Sequence, residues 1–376
     1  MKKRIFEKMG IETSLLGFGC MRFPQTDDGK IDEDKSLEML DLAISNGVNY
    51  LDTAWPYHNN TSEEFVGRVL KKYDRESLFI ATKLPLWECK KIEDVEAIFN
   101  KQLKKLDIDY IDFYLIHAVS QDRINDLKEY KVMETLSKLR DEGKIKYIGF
   151  SFHDDLDAFK LWVDLWEWDF VQIQLNYMDI DHQQGIEGYH LLVEKGIPCI
   201  VMEPVKGGKL ASFRNDIEGL FKNVHPERSI ASWAFRWVAS LENVKVILSG
   251  MSTLEQVKDN IDTFSNFEKM NEKEFEVIDT VSKTLNDLQL VSCTNCKYCM
   301  PCEFGVDIPR NLNLRNSYNM YNDEVGASWM TNMLNKKEAF ANICTNCSIC
   351  VDKCPQMINI PRELEIVNEK FKRFIK

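Results

Sequence analysis

The chain has 376 residues, enough to bury a barrel-sized core of about 250 residues and leave a small second domain. Its formal charge of -12 excludes a protein built to grip nucleic acid or an anionic membrane, since both need clustered Lys and Arg. Of its 11 cysteines, eight fall after residue 292 in two tight groups, a clustering that favours metal over disulfides.

In chain order, Lys2-Lys3-Arg4 has the charge of a leader's start, but Glu7, Lys8 and Glu12 interrupt the apolar stretch that should follow. No stretch approaches the roughly 20 apolar residues of a membrane span, so no membrane partner and a cytoplasmic protein are expected. Arg4 to Glu7 and Glu12 to Ser14, turning at Met9-Gly10, predict a hairpin that plugs a barrel floor. Eight strands follow, near residues 15–20, 48–53, 78–84, 111–117, 145–151, 170–176, 197–203 and 244–249. Between them lie helical patterns: Asp32 opens one that Gly47 closes, residues 62–70 and 95–106 repeat the spacing, and Pro226 opens the seventh. This alternation predicts a parallel α/β barrel of eight strands and eight helices, not an antiparallel sandwich. No Gly-x-Gly-x-x-Gly and no Walker-type loop follows any strand, so a doubly wound nucleotide fold is not supported.

The chemistry concentrates at three strand ends. Asn49-Tyr50-Leu51-Asp52 is an apolar run that stops on a carboxylate, and Trp55-Pro56 forces a loop that delivers Tyr57. The runs ending at Thr82-Lys83 and Ile116-His117 finish on polar residues in the same way. Singly, each has a structural explanation, as a cap, a snorkelling amine, a satisfied histidine or a wall residue. Together, Asp52, Tyr57, Lys83 and His117 at the C-terminal rim of a barrel point to catalysis. A phenol is a poor acid near neutral pH, and the expectation is that Lys83 lowers its pKa while Asp52 keeps Lys83 charged. His117 would hydrogen-bond the same substrate oxygen.

These residues are where the chain resembles the aldo-keto reductases: Leu16-Gly17-Phe18-Gly19, Asp52-Thr53-Ala54 with Tyr57, Thr82-Lys83, Leu115-Ile116-His117 and Ile148-Gly149-Phe150-Ser151, in the expected order over about the first 265 residues. The resemblance implies a (β/α)8 TIM barrel with Tyr57 as the acid, acting on a small carbonyl or alcohol with a nicotinamide nucleotide. It assigns Ser151 and Gln172 to the nicotinamide amide, though Phe152 stands where an Asn usually follows the Ser. It places Cys20, Met21, Asp52, Met202, Pro204, Gly250, Gln256 and Asn260 along the nucleotide, with Met202 where an aromatic is common under the ring. Gln256 replaces the Arg that grips a 2'-phosphate, so NAD(H) is expected over NADP(H). Ser252-Thr253-Leu254-Glu255 has the pattern of a capping box whose helix N-terminus can face phosphate.

The tail and the Met21-Arg22-Phe23-Pro24 segment look like the family branch with an appended iron-sulfur domain. Cys344-x2-Cys347-x2-Cys350-x3-Cys354-Pro355 is a bacterial ferredoxin run, and Cys293-x2-Cys296-x2-Cys299-x2-Cys302 is a variant of it. In such pairs the distant fourth thiolate crosses over, so Cys293, Cys296, Cys299 and Cys354 should hold one [4Fe-4S] cluster, and Cys302, Cys344, Cys347 and Cys350 the other. Zinc knuckles would instead use two x2 pairs across a longer loop. The expected domains are a barrel over residues 1–268, a connecting helix over 269–292 and a ferredoxin-like domain over 293–376. A cluster passes single electrons and hydride carries two, so coupling the halves would take a flavin or sequential steps. Ferredoxin or flavodoxin is a candidate electron partner. The alternative function is an iron-sulfur relay or sensor whose barrel binds a nucleotide or flavin without reducing carbonyls.

Overall fold

Runs such as Phe113-Tyr114-Leu115-Ile116 carry apolar side chains on both faces of the backbone, and a strand of that kind must be covered on both sides. A closed barrel wrapped in helices does this. The computed structural model describes Met1–Lys376, divided into one unit of Met1–Ala211 with Arg228–Asn271 and a second of Ser212–Glu227 with Glu272–Lys376.

In the first unit a hairpin of β1 (Lys3–Phe6) and β2 (Ile11–Ser14) precedes the barrel. The barrel elements then alternate: β3 (Leu16–Gly19), α1 (Glu33–Ser45), β4 (Tyr50–Asp52), α2 (Ser62–Leu70), β5 (Phe79–Leu84), α3 (Ile92–Leu106), β6 (Ile111–Val119), α4 (Ile124–Glu129), α5 (Val132–Asp141), β7 (Ile145–Phe152), α6 (Leu156–Asp164), β8 (Phe170–Gln174), α7 (Gly185–Glu194) and β9 (Cys199–Met202). After α8 (Asn215–Lys222), which belongs to the second unit, come α9 (Ile230–Ala239), β10 (Val244–Ser249) and α10 (Leu254–Ser265). All pairings within the barrel are parallel, in the closed order β10-β3-β4-β5-β6-β7-β8-β9.

All eight expected strands are present, and so is the hairpin. Fully buried Phe6 packs 5.6 Å from the Phe113 ring, which also meets Tyr50, Phe79, Tyr147 and Phe170. The barrel interior is thus a packed aromatic plug, not a pore. Asp32 caps α1 as expected, accepting from Lys35 N at 3.2 Å. Pro226 does not open the seventh barrel helix. Ser229 does, accepting from Ser232 N at 3.1 Å, because a hydroxyl there satisfies an orphan N–H that proline, farther upstream, cannot reach.

The second unit adds α11 (Glu272–Asp287), α12 (Ile308–Tyr321), α13 (Glu324–Lys336) and α14 (Ile360–Phe371) around a separate small core including Val306, Leu312, Leu334, Phe340, Leu364 and Phe371. α13 is capped by Asp323, which accepts from Gly326 N at 2.8 Å. No helix of the chain is long and apolar enough to cross a membrane.

Candidate active site

The parallel register brings the strand ends to one rim. Asp52 closes β4 opposite Ala81 of β5, and Lys83 lies two residues on, opposite Leu115 of β6. Fully buried Lys83 donates to Asp52 Oδ1 at 2.7 Å, to the Thr53 carbonyl at 2.8 Å and, at 3.5 Å, to Tyr57 Oη. Three acceptors match the three hydrogens of an ammonium, whereas a neutral amine offers only two. The Tyr57 and His117 rings meet edge to face at 6.2 Å, and Trp87 lies 5.1 Å from His117. The structure therefore brings all four expected catalytic residues together.

Burial opposes the Lys83 charge, yet Asp52 and Tyr57 more than offset it and hold the amine above its ordinary value. Asp52 is pushed up by the same burial, with Lys83 pulling it down. These tendencies conflict, and the three-acceptor geometry decides in favour of the ion pair. Tyr57 corrects the sequence expectation. Burial raises the phenol's pKa by more than Lys83 lowers it, so the hydroxyl stays protonated at neutral pH. His117 falls well below the usual imidazole value through burial, reinforced by the Lys83 charge and by His153, and is neutral. Its Nδ1 is buried without a hydrogen-bond partner.

Across the rim, Ser151 on β7 pairs in register with Gln172 on β8. Ser151 Oγ accepts from Ala118 N at 2.8 Å, which frees its hydroxyl proton to donate elsewhere. Gln172 Nε2 is turned to Met202 Sδ at 3.4 Å, and Gln172 Oε1 is buried with no partner. An orphaned acceptor beside a free donor fits a carboxamide, which carries one of each. Asn260 is buried and donates to Ser249 Oγ at 2.8 Å, just before Gly250. A Cβ on Gly250 would lie 2.7 Å from Arg22 Cγ, so the Arg22 stem covers that backbone. Pro204 is buried beyond β9, and Met21 is 52% exposed at the rim.

Cys20 and the helix after β10 complete the rim. Cys20 holds the loop by its backbone, its N–H donating to the Asp52 carbonyl at 2.8 Å, while its thiol is fully buried and driven far up in pKa by that burial. The helix after β10 is capped by Thr253, which accepts from Gln256 N at 3.3 Å, and Gln256 Oε1 folds back to accept from Ser252 N at 2.7 Å. The cap is thus Thr253 instead of Ser252, whose hydroxyl is spent donating to the Arg22 carbonyl at 2.7 Å, and no box closes, because Gln256 bonds the residue before the cap. Of the aromatic residues near the rim, Trp87 stays beside His117. Trp55 instead turns away beneath Lys105, 4.3 Å from ammonium to ring, and Phe23 packs into the core between Phe18 and Phe65.

The eight tail cysteines line two hollows. One contains Cys293, Cys296, Cys299 and Cys354, and the other Cys302, Cys344, Cys347 and Cys350 with Cys299 at its edge. No three Cys, His, Asp or Glu side chains converge tightly enough for a single ion. Four thiols spread around a hollow suit a cluster better than zinc, whose four ligands sit about 2.3 Å from one centre. Two buried asparagines of α12, which the sequence reading missed, peg the chain entering each loop. Asn316 accepts from Val291 N and donates to its carbonyl, and Asn311 donates to the Ala339 carbonyl while accepting from Ala341 N. The available signal was a polar residue at a buried position of a helix.

Residues 15–283 match the aldo/keto reductase family, and residues 292–359 match the 4Fe-4S dicluster domain. Over 298 residues, 68% of this chain and 88% of its own, the NADH-specific methylglyoxal reductase of Escherichia coli is 26% identical. Probable aldo-keto reductase 1 of Glycine max is 37% identical over 150 residues, a match spanning 38% of this chain and 42% of the soybean protein. The solved holo form of aldo-keto reductase AKR11C1 from Bacillus halodurans superposes with a TM-score of 0.63 at 26% identity, covering 75% of this chain and 96% of that one.

Proposed function

Because this oxidoreductase belongs to the aldo/keto reductase family and carries a 4Fe-4S dicluster domain, we propose that it reduces a small carbonyl at the rim that holds Tyr57. The observation that carries the reading is the fully buried Lys83 ammonium shared between Asp52 at 2.7 Å and Tyr57 at 3.5 Å. Tyr57 gives its proton to the carbonyl oxygen, and Lys83 stabilises the phenolate that remains. Asp52 keeps Lys83 charged, and neutral His117 hydrogen-bonds the same oxygen. A reduced nicotinamide, when bound, supplies hydride to the carbonyl carbon; Ser151 and Gln172 hold its amide. NADH is the proposed nucleotide: the neutral Gln256, turned onto Ser252, stands where the resemblance puts the Arg for a 2'-phosphate, and the Escherichia coli relative is named for NADH. Tyr57→Phe is expected to lower kcat by at least about 100-fold with nucleotide affinity unchanged. Unchanged turnover would refute the reading.

The two hollows would hold two [4Fe-4S] clusters, whose chemistry is one-electron transfer. Cys296 and Cys347, the second thiol of each run, are exposed, and this favours a second reading in which electrons pass to or from ferredoxin or flavodoxin. Anaerobic protein that exchanges electrons with ferredoxin yet reduces no carbonyl with NADH or NADPH would support a relay or sensor. A visible spectrum of deproteinised supernatant tests for flavin.

A further inference from the structure

Directly behind Lys83 lies a polar cluster that the chemistry above does not use. Glu63 of α2, Thr82 of β5, Gln102 of α3 and Tyr114 of β6 are all fully buried. Thr82 Oγ1 donates to Glu63 Oε1 at 2.7 Å, and Gln102 Nε2 donates to the same oxygen at 2.6 Å and to the Lys83 carbonyl at 3.0 Å. Tyr114 Oη completes the set by donating to Gln102 Oε1 at 2.7 Å. On the far side, Lys105 stands 3.6 Å from Glu63 Oε2 and donates at 2.8 Å to the Asn60 carbonyl, in the loop that carries Tyr57. Glu63 Oε2 itself is buried without a hydrogen bond.

A buried carboxylate is costly unless it is paired and bonded, and apolar side chains would join two helices to a barrel wall without that cost. This cluster is retained at the one place where its bonds end on both halves of the candidate site. We propose that Glu63 is a positioning residue: through Thr82 and Gln102 on one side and Lys105 on the other, it fixes the separation between the Lys83 ammonium and the Tyr57 phenol. The inference rests on the reading of Tyr57 as the acid. The charges acting on Tyr57 and Lys83 are Asp52, Cys20 and each other, so Glu63 works through geometry. If the cluster loosens, Lys83 withdraws, the phenol becomes a weaker acid, and the bound carbonyl loses its proton source without losing its seat.

Thr82→Val removes one hydroxyl at constant shape, and Thr82→Ser restores it. In the full-length, cluster-loaded protein Thr82→Val is expected to lower kcat about tenfold with KM within about twofold, and to move the alkaline limb of kcat to higher pH; Thr82→Ser should recover both. A crystal structure of Thr82→Val should show a Lys83 to Tyr57 separation longer than 3.5 Å. Should that variant not fold, Gln102→Met carries the same expectations, since it removes the amide that bonds the Lys83 carbonyl. If Tyr57→Phe abolishes turnover while Thr82→Val and Gln102→Met keep the parental kcat, pH limb and separation, the positioning role is overturned and the reading of the site stands. If Tyr57→Phe leaves turnover intact, the reading of the site fails, and the positioning role with it.

Discussion

Taking a group out of water penalises whichever form is charged, and at this rim the same penalty has useful and opposite results. It keeps Tyr57 protonated and His117 neutral, while the bonds to Asp52 and Thr53 preserve the charge of Lys83. The sign for activity follows. Reduction needs the phenol, and the phenol's pKa is raised, so activity is present at and below the ordinary tyrosine value and lost only as pH rises through the higher value. A kcat profile with no acid limb from His117 across neutral pH and a single alkaline limb is expected. Asp52→Asn tests the ion pair. Because it strands a buried ammonium, it should destabilise the barrel by about 3–5 kcal/mol, read as a lower denaturant midpoint. Asp52, Lys83 and His117 were legible because each lies at the C-terminal end of a strand, where an abrupt polar residue after an apolar run fixes its position, and Tyr57 because it follows Asp52 on the loop that Pro56 forces. Trp55 was not, since a loop has no period to say where a side chain points, and the structure turns it under Lys105. Gln102 and Glu63 left a trace that went unread: Gln102 falls on the apolar stripe of Val95, Ile98, Phe99 and Leu106, where a polar residue demands a buried partner.

At the level of elements, the seating of α2 on α3 sets how the loop with Tyr57 meets the strand with Lys83. Gly67 is what allows it. A Cβ there would lie 2.6 Å from the Lys105 carbonyl oxygen and 2.7 Å from that of Leu106, both backbone atoms that cannot turn aside. Gly67→Ala should therefore force the helices apart, at a cost of about 1–3 kcal/mol despite alanine's better helix propensity. A lower unfolding midpoint together with a reduced kcat would be the result, because the same displacement moves Gln102 and Lys105. Unchanged stability would show that the two helices can shift without strain. The extent of α2 was readable from its amphipathic spacing, and the hairpin and eight strands from alternation and turn residues. The start of α9 was misplaced because proline was weighed there ahead of Ser229, the residue that caps it.

For the molecule as a whole, the two halves rely on different sources of stability. The barrel unit has a large continuous core, whereas the second unit packs only a modest apolar cluster beside its cysteine loops. A small core of that kind gains most from a staple that binds the folded form alone. Iron removal is accordingly expected to melt α12, α13 and α14, seen as lost helical circular dichroism, while nucleotide binding by the barrel persists. The lining of the two hollows sharpens this into a test of connectivity. Cys354 ends the second cysteine run in sequence but shares its hollow with Cys293, Cys296 and Cys299. If each run held its own cluster, Cys354→Ser would disturb the site of Cys344, Cys347 and Cys350. With crossed ligation it should instead empty the other site, reducing iron from about eight to about four per chain and leaving one paramagnetic signal on reduction. The same signal should survive Cys293→Ser and vanish in Cys347→Ser, because Cys354 and Cys293 would then serve one cluster and Cys347 the other.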